Sequence, residues 1–388
     1  MMVRTDPPTH LTYCLNVHAG ESWSANLAAI RTHALAVRRR VAADRRFGLG
    51  LRLSRSAADE LAQPAALAAF RDFLAANDLY VFTINGFPYG DFHDTQVKQQ
   101  VYAPDWRSHE RLVYTLRLAD ILAELLPDQV TGSISTVPGS YRSWFSTRSD
   151  TDALVRNLAA CAAHLAELEA ATGRHIVLAL EPEPDCLIDT TDGSLDFFNN
   201  VLGKHDALAA LPFDWRRYLG ICLDACHLAV LFENPTASLQ ALHRHGIAVP
   251  KVHLSAALRG TTGPAMARRL ADFMDGVYLH QVCIRRMSGE IIRLPDLNDM
   301  ALKTIAREED AEVRVHTHIP LYFEGDRELH STSCDLSTDF FCGLRDTSVS
   351  HLEIETYTFG ILPDSLASLT VEDSVCREFD WVVRRLNA

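Results

Sequence analysis

Short apolar runs, most ending in polar or charged residues, alternate along this chain with longer segments rich in Ala, Leu and Arg. The runs predict strands at 12–17, 47–53, 79–84, 129–136, 175–180, 218–223, 249–254 and 351–356. Apolar positions recurring at helical spacing predict helices at 24–41, 56–77, 107–126, 150–172 and 235–245, and a last one at 364–386. The segment Leu-Ala-Ala-Cys-Ala-Ala-His-Leu-Ala-Glu-Leu at 158–168 has a helical apolar period and no β-branched residue. Strands alternating with helices in this way predict an α/β fold, a closed parallel (β/α)8 TIM barrel rather than an open sheet. No G-x-G-x-x-G follows the first strand, which counts against a dinucleotide-binding fold.

The alternation fails once, between 254 and 351. Two further strand-like runs, 277–285 and 312–323, lie inside that interval. This predicts a β-containing insertion before the last strand, at about 257–348, in a single domain spanning 1–388. No Pro/Ser-rich linker and no short-period repeat interrupts the chain.

Composition changes the picture mainly by exclusion. The 388 residues are 47% hydrophobic and 22% charged, as in ordinary globular proteins. A net charge of −13 gives no basic face for nucleic acid. No apolar run is long enough to span a membrane, and the first residues lack an apolar signal core. The nine cysteines show no CxxC pair, so they read as reduced thiols of a cytoplasmic protein. Nothing in the pattern dictates an oligomeric state.

The chemistry sits where apolar runs end. One run delivers Glu181 within Glu-Pro-Glu-Pro; a second delivers Asp224 and, three residues on, His227. A third delivers His253, and a fourth Glu353 and Glu355, either of which faces inward. Carboxylates and imidazoles at successive strand ends are the layout of a metalloenzyme barrel, since active sites form at the C-terminal ends of barrel strands. A Glu, Asp, His, Glu set suits Mn²⁺, with Zn²⁺, Co²⁺, Fe²⁺ or Mg²⁺ as alternatives. His316 and His318 share a face and are expected to contact substrate or a second metal ion. His280 is a further candidate. In the N-terminal half, His18 and Trp23 follow the first strand, and Asn85, Phe87, Tyr89 and His93 follow the third. They predict polar contacts and aromatic walls for a small substrate.

Leu178-Ala-Leu-Glu-Pro182, Leu223-Asp-Ala-Cys-His227, Lys251-Val-His-Leu-Ser255 and Leu352-Glu-Ile-Glu-Thr356 resemble motifs of the xylose-isomerase-like TIM-barrel superfamily. Within it, Asn16-x-His18-x-Gly20-Glu21-x-Trp23, His316-x-His318-x-Pro320 and the segment 351–358 resemble the EboE family of "metabolite traffic" proteins of the ebo cluster. The resemblance implies one divalent ion on Glu181, Asp224, His253 and Glu355. It also implies catalysis by Glu181 and Glu355, with His227 contacting a small substrate, and it makes other ebo-cluster proteins candidate partners. The expected activity is that of an isomerase or epimerase of a polyhydroxylated or cyclitol-like metabolite. Metal-dependent phosphoester hydrolysis of the endonuclease-IV type and non-catalytic metabolite binding are the competing readings. The chain departs from the epimerase pattern in its His253-Leu-Ser-Ala-Ala segment and in the long insertion.

Overall fold

The structure, a computed structural model, describes residues 1–90, 98–359 and 369–387. Strands β1 (Met2–Thr5) and β2 (Pro8–Tyr13) form an antiparallel hairpin. They are followed by β3 (Phe47–Arg52), β4 (Leu79–Asn85), β5 (Gly132–Thr136), β6 (Ile176–Leu180), β7 (Leu219–Asp224) and β8 (Ala248–Leu254). A second group comprises β9 (Leu258–Thr261), β10 (Val282–Arg285), β11 (Ile291–Leu294), β12 (Glu312–Val315), β13 (Gly325–Asp326) and β14 (Leu329–Ser331). The last strand is β15 (His351–Ile354).

Strands β2 to β8 and β15 pair in parallel, in the order β2-β15-β8-β7-β6-β5-β4-β3. The ends of this sheet meet. Cys14 bridges Gly50, and the Thr12 hydroxyl donates to the Gly48 carbonyl at 2.8 Å. The result is an eight-stranded parallel barrel with β1 at its edge. Sequences such as Leu-Tyr-Val-Phe-Thr-Ile-Asn in β4 are buried at every position, as helices outside and side chains inside require. The longest helix, Arg148–Thr172, opens on a Thr147–Asp150 capping box and ends at Gly173, whose positive φ of 72° suits glycine.

Strands β9 to β14 form a separate six-stranded antiparallel sheet, ordered β11-β10-β12-β9-β14-β13. This sheet occupies 258–331 of the interval in which an insertion was expected. The helix Thr338–Asp346 then packs against helices Pro235–Arg244 and Val371–Leu386, rejoining the outer ring. Among the described residues no helix is long and apolar enough to cross a membrane.

Several predicted boundaries move for identifiable reasons. The first barrel strand is Pro8–Tyr13, not 12–17, and Leu15–Val17 is a 3₁₀ turn where the chain leaves the barrel mouth. The helix expected at 56–77 is two, Arg55–Leu61 and Pro64–Ala76. Pro64 has no amide hydrogen and holds Gln63 extended (ψ 130°), so the helix cannot run through. The helix expected at 24–41 contains a π-helical turn at Ile30–Ala34. In the insertion only Val282–Arg285 and Glu312–Val315 of the two expected runs are strands. After Val315 the chain bends over the barrel mouth. The last helix begins at Val371 behind its Thr370 cap; positions 364–368 of the expected helix lie outside the described residues.

That helix also secures the barrel mouth. Glu378 is fully buried, and its Oε1 accepts from the Leu321 amide (3.1 Å) and the Thr356 hydroxyl (2.7 Å). Burial pushes its carboxyl up to about 7, against the pull of those two hydrogen bonds. A folded-state pKa above the unfolded value gives a contribution that is complete below the unfolded carboxyl range and lost as pH rises through the folded value. Unfolding measured from about pH 5 to about pH 8 should therefore show stability falling across this window. Glu378→Gln should flatten that fall; an unchanged slope would refute the assignment.

Candidate metal centre and cleft

The centre is assembled from residues at or just beyond the ends of four consecutive barrel strands. Glu181 follows β6, where Pro182 stops the ladder. Asp224 ends β7 and caps the short helix behind it. Its Oδ1 accepts from the His227 amide (2.9 Å) and the Ser255 hydroxyl (2.8 Å), which leaves Oδ2 free. His253 lies in β8 directly opposite Asp224. Glu355 follows β15, its Oε1 held by Asn16 Nδ2 (2.9 Å) and Asn85 Nδ2 (3.0 Å).

These four side chains converge. Each offers one ligand atom within 4.8 Å of the others, and all are buried. The His253 Nδ1 lies 3.0 Å from Glu181 Oε1, 3.0 Å from Glu355 Oε2 and 3.6 Å from Asp224 Oδ2. One nitrogen cannot satisfy three carboxylates. Accordingly Glu181 Oε2 and Asp224 Oδ2 are buried with no hydrogen-bond partner. Unpaired carboxylate oxygens in a dry site are costly unless a cation meets them. Three carboxylates and an imidazole form a donor set that fits Mn²⁺, Zn²⁺ or a similar ion. Burial would push the Asp224 carboxyl up, but His227, His318 and His253 outweigh it and hold it well below the usual range.

A fully buried ion pair lies beneath. Lys251 Nζ meets Glu353 Oε2 at 2.5 Å and donates to Ser135 at 3.2 Å. The same Glu353 oxygen lies 3.0 Å from His253 Nε2. Ionised Glu353 can only accept there: burial would push its carboxyl up, but Lys251 and His253 hold it below the ordinary value. His253 therefore carries a proton on Nε2 and can turn a lone pair on Nδ1 toward the centre. Glu353 thus serves His253 from below, and Glu355 is the residue in the four-donor cluster. Gly50 makes room, since a Cβ there would collide with Glu353 Oε1.

Above the centre opens a cleft enclosing about 570 Å³, its mouth included. Glu181, Glu355, His227, His316, His318, Asn85 and Phe87 line it. Other residues expected there are placed elsewhere. Trp23 opens a helix and packs edge-on against Phe70 (4.7 Å). His18 stacks on His33 (4.4 Å) and bonds the Tyr13 hydroxyl. Tyr89 packs against Tyr114. His280 is buried behind the cleft, bonded to Asp275 (2.6 Å) and to the His316 carbonyl (2.7 Å). His93 lies outside the described residues.

The sequence reading missed Asn16, Glu183, Lys98, Tyr102, Tyr278 and Tyr357, all of which line the cleft. Asn16 and Tyr357 sit inside the recognised motifs, and Glu183 is two residues from Glu181, so each had a local signal. Tyr102 and Tyr278 had none. Glu183 is buried, takes a hydrogen bond from Tyr102 (2.7 Å), and is pushed up to about 7 by that burial.

No protein-family model and no curated protein matches the chain. Solved structures do. A xylose isomerase domain protein from Planctomyces limnophilus superposes with a TM-score of 0.50 at 13% identity, over 87% of this chain and 88% of that one. The probable 3-DHS dehydratase AsbF from Bacillus anthracis, involved in petrobactin synthesis, gives 0.49 at 15% identity, over 96% and 98%. A D-tagatose 3-epimerase-like protein gives 0.48 at 13%, over 98% and 100%. The fold is the xylose-isomerase-like TIM barrel. At these identities the likeness establishes the fold alone.

Removing the Glu353 carboxylate separates positioning from stability. Glu353→Gln leaves Lys251 buried and unpaired, at a cost of about 3–5 kcal/mol in thermal unfolding. The double variant Lys251→Met/Glu353→Leu should recover most of that stability. Both should bind a divalent ion about 10–100-fold more weakly in chelator competition, because the His253 ring loses its anchor. Wild-type affinity in the double variant would contradict the role of Glu353.

Proposed function

We propose that this chain is a divalent-metal-dependent isomerase or epimerase of a small polyhydroxylated or cyclitol-like metabolite. The observation that carries the reading is the convergence of Glu181, Asp224, His253 and Glu355 at the floor of one cleft. Bound there, a divalent ion would supply Lewis-acid polarisation of a substrate carbonyl. The remaining steps fall to the chain's own residues. Glu181 lines the cleft; one of its oxygens would hold the ion and the other would take a proton from the carbon beside that carbonyl. Glu355, fixed by Asn16 and Asn85, would enter the step protonated and give that proton to the opposite face while Glu181 keeps the one it removed, so that the two carboxyls exchange states. His227, tied through Nδ1 to the Pro182 carbonyl at 2.9 Å, orients a substrate hydroxyl with Nε2. Phe87, Tyr102 and Tyr357 offer flat walls to the C–H faces of a ring.

The EboE-like motifs support a place in an ebo-type metabolite pathway, with other proteins of that cluster as partners. Nine unpaired thiols support a reducing, cytoplasmic location. A second reading, metal-assisted phosphoester hydrolysis, draws its support from the extra histidines His316 and His318. The lining of the cleft opposes it: Lys98 is its only Lys or Arg among the described residues, and Lys98 is already paired with Asp296 at 2.8 Å.

The test is proton exchange. Metal-loaded protein incubated in D₂O with a panel of ketoses and keto-cyclitols should place deuterium beside the carbonyl of at least one. Glu181→Gln should retain the ion by mass spectrometry and lose about 10²–10⁴-fold in exchange rate. Unchanged exchange in Glu181→Gln would exclude it as base. Phosphate release from phosphoesters, with no exchange on any ketose, would replace this reading with the hydrolytic one.

A further inference from the structure

The cleft above the metal centre is chemically divided along its depth. At its inner end Glu181, Glu355, His227, His316, His318 and Asn85 are buried, and each carries hydrogen-bonding or metal-ligating atoms. The half-buried lining residues Lys98, Val101, Tyr278 and Tyr357 mark its mouth. There the chemistry changes. Phe87, Pro88, Val101 and Leu279 bring no side-chain atom that can form a hydrogen bond. The Tyr102 hydroxyl is engaged, donating to Glu183 at 2.7 Å and accepting from Gln281 Nε2 at 3.2 Å. The Lys98 ammonium is held by Asp296 at 2.8 Å and by the Asp275 carbonyl at 3.1 Å.

Two distant segments build this outer half. Residues 98–102 belong to the connection between β4 and the helix His109–Leu125, and residues 277–279 precede β10 in the insertion. The Lys98 amide donates to the Val277 carbonyl at 3.0 Å, and with the Lys98–Asp296 pair it joins barrel loop to insertion at the mouth. The rings are ordered as well. Tyr102 stacks on Tyr141 (5.2 Å, 16°) and meets Phe87 edge-on (5.9 Å), and Tyr278 meets Tyr357 edge-on (5.3 Å). A wall already fixed in this way loses little freedom when a ligand binds.

A bare polyol does not match such a wall. Hydroxyls set against Phe87, Val101 or Leu279 would leave water and gain no partner in exchange. An apolar group gains by leaving water there, and a flat ring gains further by packing offset or edge-on against the aromatic side chains. The enclosed volume of about 570 Å³, mouth included, lies in the range of roughly 300–1,000 Å³ that takes drug-sized ligands. We propose that the outer half of the cleft is a subsite for an apolar substituent, an aromatic ring or an alkyl chain, carried by a substrate whose oxygen-rich head lies at the metal centre. The placement of the head rests on the proposed function; the subsite narrows the class of molecule. The insertion thereby acquires a role, since it supplies the Tyr278 and Leu279 wall.

Three α-hydroxyketones test this by titration calorimetry on the Mn²⁺-loaded full chain: hydroxyacetone, which has no apolar substituent, 1-hydroxyoctan-2-one and 2-hydroxyacetophenone. The last two should bind about 10–100-fold more tightly than the first, and the tighter of the two tells chain from ring. In Val101→Asn/Tyr278→Ser that preference should fall to within about 3-fold, with hydroxyacetone affinity and Mn²⁺ uptake unchanged. If the double variant fails to fold, Val101→Asn alone carries the test and should lose part of the preference. Equal affinities for the three ketones in wild type overturn the subsite, as does a preference that the variant keeps. A preference that is the same without Mn²⁺ and lost in the variant supports the subsite and contradicts chelation of the head by the ion. Absence of binding by all three overturns both.

Discussion

Buried negative charge is the constraint around which the mouth of this barrel is organised. Glu181, Asp224, Glu353 and Glu355 are all withdrawn from water within reach of one imidazole. Lys251 offsets Glu353 from below, at 2.5 Å. The other three carboxylates have no comparable partner, and two of their oxygens bond to nothing. Isolated charges in a dry interior are expensive, and a fold keeps such a group only where something compensates it. A divalent ion is the compensation these donors fit.

Strand geometry turns that constraint into a site. Along β15 and just beyond it, His351, Glu353 and Glu355 face inward at every second position, and Lys251, His253 and Ser255 do the same along and beyond β8. The parallel register sets Lys251 opposite His351 and His253 opposite Glu353. The inward column therefore runs from a polar layer, through the Lys251–Glu353 pair, to the imidazole and then to the carboxylates. His351 begins it, bonded to Ser133 at 2.8 Å. A slip of one residue in either strand would turn its column out of the barrel. The small residue at Gly50 belongs to the same design, because the neighbouring strand must leave space for the Glu353 carboxylate.

The centre was legible in the sequence because it is local. Each of its four side chains stands at or just past the end of an apolar run, and Asp224 with His227 sits on a strand-to-helix turn whose spacing is set by a capped helix. The barrel was legible for the same reason, through runs buried on both faces. What the sequence did not show depends on distant contacts. Tyr102 ends the 3₁₀ helix Lys98–Tyr102 and Tyr278 lies in an irregular segment, and both reach the cleft only through the tertiary fold. Trp23 and Tyr89 looked like cleft aromatics, but Trp23 opens a helix that packs it on Phe70, and Tyr89, in the loop after β4, packs on Tyr114. The choice between Glu353 and Glu355 also needed the fold, since both face inward and only depth separates them.

The account stands on the four-residue centre, and anomalous diffraction tests it most directly. Crystals of the full chain equilibrated with Mn²⁺ or Zn²⁺ would be measured at the metal's absorption edge. The predicted result is an anomalous peak bounded by Glu181, Asp224, Glu355 and the Nδ1 of His253, with His253 Nε2 still bonded to Glu353. Metal-saturated crystals with no peak among these residues would contradict it.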